Sequence, residues 1–171
     1  MLTKVKSTEF RAAGHVFAIV ASKYNARYVD SMLKAAEGEL KRAGVKRVEI
    51  IRVPGAYEIP VVAARLARAG ASAGTDEPLS AIICLGVILR GETVHAAHIG
   101  ETVSCALMEI QLRFELPVIH EVLLLENEDQ ARVRCLGRKH NRGAEAAQTA
   151  LAMANLMERL RSRLPAAPDL A

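Results

Sequence analysis

The chain has 171 residues, 51% of them apolar and only 4% aromatic, with no tryptophan. That length suits one domain with an aliphatic core and no need of staples, so the expectation is a single domain over 1–171, its core at about 15–164. The net charge of +4 is small, and its densest cluster, Arg132, Arg134, Arg138, Lys139 and Arg142, lacks the interleaved aromatics that stack on bases, which argues against nucleic acid.

Cys84, Cys105 and Cys135 are odd in number and show no C-x-x-C spacing, so neither a disulfide framework nor a zinc site is indicated. Met1 to Lys6 carries no apolar segment like that of a signal peptide, and no apolar run approaches the ~20 residues that span a bilayer. A soluble cytoplasmic protein with no membrane partner is expected.

Residues 1–14 read as a flexible arm. The first apolar, β-branched run is His15 to Ala21, followed by a helix in which Val29, Leu33, Ala36, Leu40 and Ala43 recur at helical spacing until Gly44 stops it. Asn25 reads as the cap of that helix. Arg47 to Val53 is the second strand. A helix then begins near Tyr57, tolerates Pro60 in its first turn and ends near Gly70. Gly70 to Pro78 reads as an exposed loop.

Ser80 to Gly86 is the third strand. Thr93 caps the helix that follows it, with Ile99, Val103, Leu107, Ile110 and Phe114 on its apolar face. Pro117 to Leu125 is the fourth strand, and a short helix spans Asn127 to Arg134. After a break at Gly137 to Arg142, Gly143 opens the last helix, with Ala147, Ala150, Ala154, Met157, Leu160 and Leu164 along one face. Residues 165–171 read as a frayed tail. Near-continuous apolar strands alternating with helices predict an α/β fold, a flavodoxin-like, doubly wound parallel sheet of order 2-1-3-4 buried on both faces.

In such sheets ligands lie beyond the carboxyl ends of the strands. Three chemically rich segments fall there: Lys23-Tyr24-Asn25, Pro54-Gly55-Ala56-Tyr57-Glu58 and Arg90 to His95. Gly91-Glu92-Thr93 at a helix start offers backbone N–H groups and a hydroxyl to a phosphate, although an ordinary turn and cap would read the same way. His95 in the first helical turn is a candidate for taking and returning a proton. His95 and His98, three residues apart, share a helix face, but no further ligand accompanies them and no metal is expected. Tyr24 at a strand end can stack on a planar ring. Glu58 either favours its helix N-terminus or accepts hydrogen bonds from ligand hydroxyls.

Taken together these segments resemble the lumazine synthase family, from about Phe17 to Met157. The resemblance rests on Val53-Pro54-Gly55-Ala56-Tyr57-Glu58-Ile59-Pro60, on Leu85 through His95, on Glu126-Asn127 with Gln130-Ala131, and on Asn141-Arg142-Gly143-Ala144-Glu145-Ala146-Ala147. It implies condensation of 5-amino-6-(ribitylamino)uracil with 3,4-dihydroxy-2-butanone 4-phosphate to 6,7-dimethyl-8-ribityllumazine in riboflavin biosynthesis, with no cofactor. It implies that Tyr24, Ala56, Tyr57, Glu58, Val87, Ile88 and Leu89 meet the pyrimidine and its ribityl chain. Glu92 and Thr93 would contact the phosphate, and His95 would transfer protons. Arg134 of a neighbouring subunit would bind the phosphate, with Arg138, commonly lysine in the family, adding charge. The chain has Ala96-Ala97 where the family commonly has an aromatic and an acid, and His120 where a phenylalanine of the adjacent subunit usually closes over the pyrimidine. A homopentamer is implied, with an icosahedral shell and riboflavin synthase as a partner as extensions of it. A flavodoxin-like module that binds a flavin or phosphorylated ligand without turnover is the main rival reading, and a structural shell protein a third.

Overall fold

The computed structural model describes residues 12, 14–71, 78–137 and 140–164. In chain order these form β1 (Val16–Ser22), α1 (Ala26–Arg42), β2 (Arg47–Val53), one 3-10 turn (Ala56–Glu58), α2 (Ile59–Ala71), β3 (Ala81–Leu89), α3 (His95–Phe114), β4 (Val118–Leu125), α4 (Glu128–Cys135) and α5 (Arg142–Arg163). The sheet is wholly parallel, in the expected order β2-β1-β3-β4. The proposed arm and tail lie almost entirely outside the described residues, as do 72–77 of the exposed loop.

Side chains alternate across the two central strands and so feed two cores. Phe17, Ile19 and Ala21 of β1, with Ile83, Leu85 and Val87 of β3, pack on Val29, Met32 and Leu40 of α1 and on Ala147, Ala150 and Ala154 of α5. On the other face Ala18, Val20, Ile82 and Cys84 meet Ile59 and Ala63 of α2 and Val103 and Leu107 of α3. Each large aliphatic side chain sealed in this way contributes about 1.5–3 kcal/mol of transfer free energy.

The expectation of burial on both faces holds for β1 and β3 but not for β2, where Arg47, Glu49 and Ile50 are exposed. β2 is an edge strand, and charged side chains are usual there. Likewise Leu160 and Leu164, expected on the buried stripe of the last helix, are exposed near its end.

α5 begins at Arg142 rather than Gly143. Asn141 is its N-cap: Oδ1 accepts from Gly143 N at 2.9 Å, while Nδ2 donates to Cys135 O at 2.6 Å and so ties the end of α4 to the start of α5. Gly143 lies against α1 so closely that a Cβ there would sit 1.9 Å from Met32 O. Only glycine permits this helix crossing.

Arg142 is held between Glu121 of β4, at 2.6 Å, and Glu145, at 2.8 Å. Burial pushes the Glu121 carboxyl above the ordinary carboxylate range, and the Arg142 guanidinium pulls it partly back. A carboxyl raised in the fold favours its protonated form there, so its contribution to stability is full in acid and is lost as pH rises through the folded value. Arg142→Ala leaves that carboxyl without its main counter-charge and raises it further. The variant should lose about 2 kcal/mol near pH 8 and distinctly less near pH 5, where Glu121 can take up a proton. Denaturant unfolding of both proteins at equal concentration at the two pH values checks this.

Candidate active site

The loops at the carboxyl ends of β1, β2 and β3 are fastened to one another by the main chain and one amide. Lys23 N donates to Val53 O at 2.8 Å, and Tyr24 N donates to Pro54 O at 3.0 Å. Asn25 follows in the left-handed region at φ 55°, and its Nδ2 donates to Val87 O of β3 at 2.8 Å. Asn25 does sit at the N-cap of α1, but its side chain makes no capping bond, contrary to expectation: its backbone is left-handed rather than extended as at a capping residue, and its amide reaches β3 instead.

Gly55 lies under the ring of Tyr24, where a Cβ would come within 3.1 Å of Cδ2, and its N–H donates to Glu58 Oε2 at 2.8 Å. Glu58 therefore closes the 3-10 turn onto its own loop. Tyr24 and Tyr57 remain 72% and 60% exposed, an unusual state for the largest side chains of a nearly aromatic-free protein.

These loops and the start of α3 enclose a cavity of about 640 Å³, the size of a small-molecule site. Tyr24, Ala56, Tyr57, Glu58, Val87, Ile88, Leu89 and His95 all line it. The sequence reading missed Asn25 as a link between loops, Gly55 as the floor under Tyr24, and Ile99 and Thr102 as cavity walls; it weighed His98 only as a metal ligand. The helical stripe that placed Ile99 on α3 already carried the signal for the last two. Burial pushes the thiol of Cys84, on the adjoining strand, far above its ordinary range, so it offers no nucleophile.

α3 begins at His95, with Val94 rather than Thr93 at the N-cap and no side-chain cap bond. Its first intrahelical bond of that turn runs from His98 N to Val94 O at 3.2 Å, so the preceding N–H groups have no partner within the helix. Glu92 and Thr93 are exposed in the loop just before it and do not line the cavity. That loop is anchored to the one after β4: Arg90 Nη1 reaches both oxygens of Glu126, at 2.9 and 3.1 Å, and Arg90 N donates to Leu125 O at 2.8 Å.

His120 and Arg134 are not among the lining residues. His120 is exposed on β4, its Nε2 2.8 Å from Ser104 Oγ, and Arg134 is exposed on α4. Arg138 lies outside the described residues. Among the described residues no group of three or more His, Cys, Asp or Glu is placed to hold a metal, and no helix is long and apolar enough to cross a membrane.

A ring, a carboxylate and an imidazole around one strand-end cavity, with an open helix start beside it, define a doubly wound α/β protein whose site suits a small polar substrate bearing an anionic group. The model of one family, described as 6,7-dimethyl-8-ribityllumazine synthase, matches residues 14–158. A protein of that name from Stenotrophomonas maltophilia is 42% identical over 146 residues, covering 84% of this chain and 90% of its own. One from Xylella fastidiosa is 40% identical over 154 residues, covering 89% and 96%, and one from Xanthomonas oryzae is 40% identical over 146 residues, covering 84% and 90%. The chain belongs to the 6,7-dimethyl-8-ribityllumazine synthase family.

Asn25 does two things at the site: it holds a left-handed backbone and it bonds Val87 O. Asn25→Gly removes only the second, whereas Asn25→Ala removes both and adds the strain of a left-handed alanine, about 1 kcal/mol. Thermal unfolding should rank the proteins wild type, Gly, Ala in falling stability.

Proposed function

We propose that this protein is a lumazine synthase, a transferase that condenses 5-amino-6-(ribitylamino)uracil with 3,4-dihydroxy-2-butanone 4-phosphate to give 6,7-dimethyl-8-ribityllumazine, phosphate and water. The observation that carries this reading is the meeting of Tyr24, Glu58, Val87 and His95 around one cavity in a chain that matches the family over residues 14–158.

Tyr24 stacks on the pyrimidine, whose edge faces the strand end Val87, Ile88 and Leu89. Glu58, steadied by Gly55 N–H through one oxygen, turns its remaining acceptor capacity to the ribityl hydroxyls, with Ala56 and Tyr57 beside it. The unpartnered N–H groups at the start of α3, with Glu92 and Thr93 in the preceding loop, receive the phosphorylated substrate. The pyrimidine's amine adds to the ketone, an imine forms, phosphate is eliminated, and ring closure expels water. Protons move at each stage, and His95 is placed to carry them. Holding two substrates in reactive geometry supplies much of the remaining acceleration.

Arg134, Arg138 and His120 complete the site of a neighbouring copy in a homopentamer, the arginines at the phosphate and His120 over the pyrimidine. The exposure of Arg134 and His120 away from their own chain's cavity supports this reading. The three free cysteines suit a reducing compartment.

Mixing the purified protein with both substrates should yield the lumazine chromophore and an equal amount of phosphate, unaffected by EDTA; no chromophore, or activity lost to EDTA and restored by a divalent ion, sinks the reading. His95→Ala should lower turnover by ~10²-fold or less, because solvent and substrate groups also carry protons. Arg134→Ala should instead raise KM for the phosphorylated substrate with little change in the KM for the pyrimidine. Light scattering should give a pentamer or a multiple of it, and an active monomer would rule out a shared site.

A further inference from the structure

We infer that His98 is a second catalytic residue, which works with His95 as a two-imidazole proton relay. The inference rests on the assigned reaction and adds a residue to it.

His95 and His98 both line the 640 Å³ cavity from the first turns of α3. Three residues along a helix they share a face, separated by about 4.5 Å along its axis. Among the described residues neither imidazole has a hydrogen-bond or ion-pair partner, so both rings are free to meet a substrate. An acid–base histidine is commonly oriented by a carboxylate. Here the residues that follow His95 are Ala96 and Ala97, and the only carboxylate on the cavity among the described residues, Glu58, has one oxygen engaged by Gly55 N. The titratable groups of the same chain that face the pair are Tyr24 from the loop after β1 and Tyr57 and Glu58 from the 3-10 turn, and in the proposed homopentamer His120 and Arg134 of a neighbouring copy join them. On α3 itself Glu101 stands one turn beyond His98. Neither α2 nor β4 contributes a lining side chain, and His120 of β4 is bonded to Ser104 further along the helix. Among the described residues His98 is thus the one other imidazole that the chain brings to its own cavity.

Imine formation needs a proton acceptor and a proton donor together. As the pyrimidine's amine nitrogen bonds to the ketone carbon, one N–H proton passes to neutral His95, while the carbonyl oxygen takes a proton from protonated His98. The carbinolamine then expels water. Its hydroxyl takes the proton held by His95, the C–O bond breaks, and the remaining N–H proton passes to His98 as the C=N bond forms. Both imidazoles end as they began, with one molecule of water released and no proton drawn from solvent. A single imidazole would instead have to ferry each proton in turn from nitrogen to oxygen, whereas two can accept and donate in the same step.

The test uses the assembled protein and single-turnover lumazine formation from pH 5.5 to 9, with His98→Gln, His95→Gln and the double variant, each first shown by its melting curve to be folded. Wild type should give a bell-shaped profile, which reports one essential acid and one essential base. His98→Gln should lose roughly 10-fold or more in rate, keep KM for both substrates within about twofold, and retain only one limb of the bell. The double variant should be barely slower than the worse single, because removing either member breaks the relay. A bell that survives His98→Gln, or losses that multiply in the double variant, would overturn the relay and leave His98 as wall. If wild type itself formed no lumazine, the fault would lie in the assigned reaction.

Discussion

β1 and β3 lie side by side with both faces sealed, and this constraint decides where everything else can go. Their main-chain groups are satisfied along parallel ladders, and their side chains leave no polar group in the middle of the sheet except Ser22 at the end of β1. A parallel pair must be joined by crossovers, so every strand delivers its carboxyl end to the same edge. Chemistry-bearing residues have no place within those strands. They collect in the three loops where burial ends, and the cavity is the space those loops leave in front of the start of α3.

The loops are not left to their own conformational preferences. Backbone bonds from Lys23 and Tyr24 to Val53 and Pro54 join the first to the second, the Asn25 amide joins the first to β3, and Arg90 with Glu126 joins the third to the fourth. Each tie draws on residues distant in sequence, so the site inherits the rigidity of the sheet rather than the freedom of a turn. The 3-10 turn under Glu58 does the same on a shorter scale, since a side-chain oxygen replaces the missing partner of Gly55 N.

What could be read from the chain follows the range of the interaction involved. β1, β3 and their order were legible because a fully buried strand is a continuous apolar word and the crossover rule has few solutions. The edge status of β2 was obscured because Ile50, Ile51 and Val53 look as buried in sequence as residues of a central strand. Asn25 read as a cap from its position alone, but its partner is a carbonyl 62 residues away that no local pattern announces. Gly143 read as a helix opener, whereas its contact is with the backbone of α1. Thr93 and Val94 differ by one position, within the range where helix ends are decided by loop tension rather than by residue type. The cavity residues of the first three loops were found together because topology collects them. Those that face away from this chain's own cavity, His120 and Arg134, owe their interest to the family pattern alone.

The distribution of aromatic rings carries an optical consequence. With no tryptophan and three tyrosines, the chain's near-ultraviolet absorption and emission come from Tyr24, Tyr28 and Tyr57. Tyr28 is 4% exposed in the core, whereas Tyr24 and Tyr57 line the cavity and stand open to solvent. Two of the three natural chromophores are therefore reporters of the site, against a single buried reference ring. A planar molecule entering the cavity would quench or shift most of the protein's own light without any label attached.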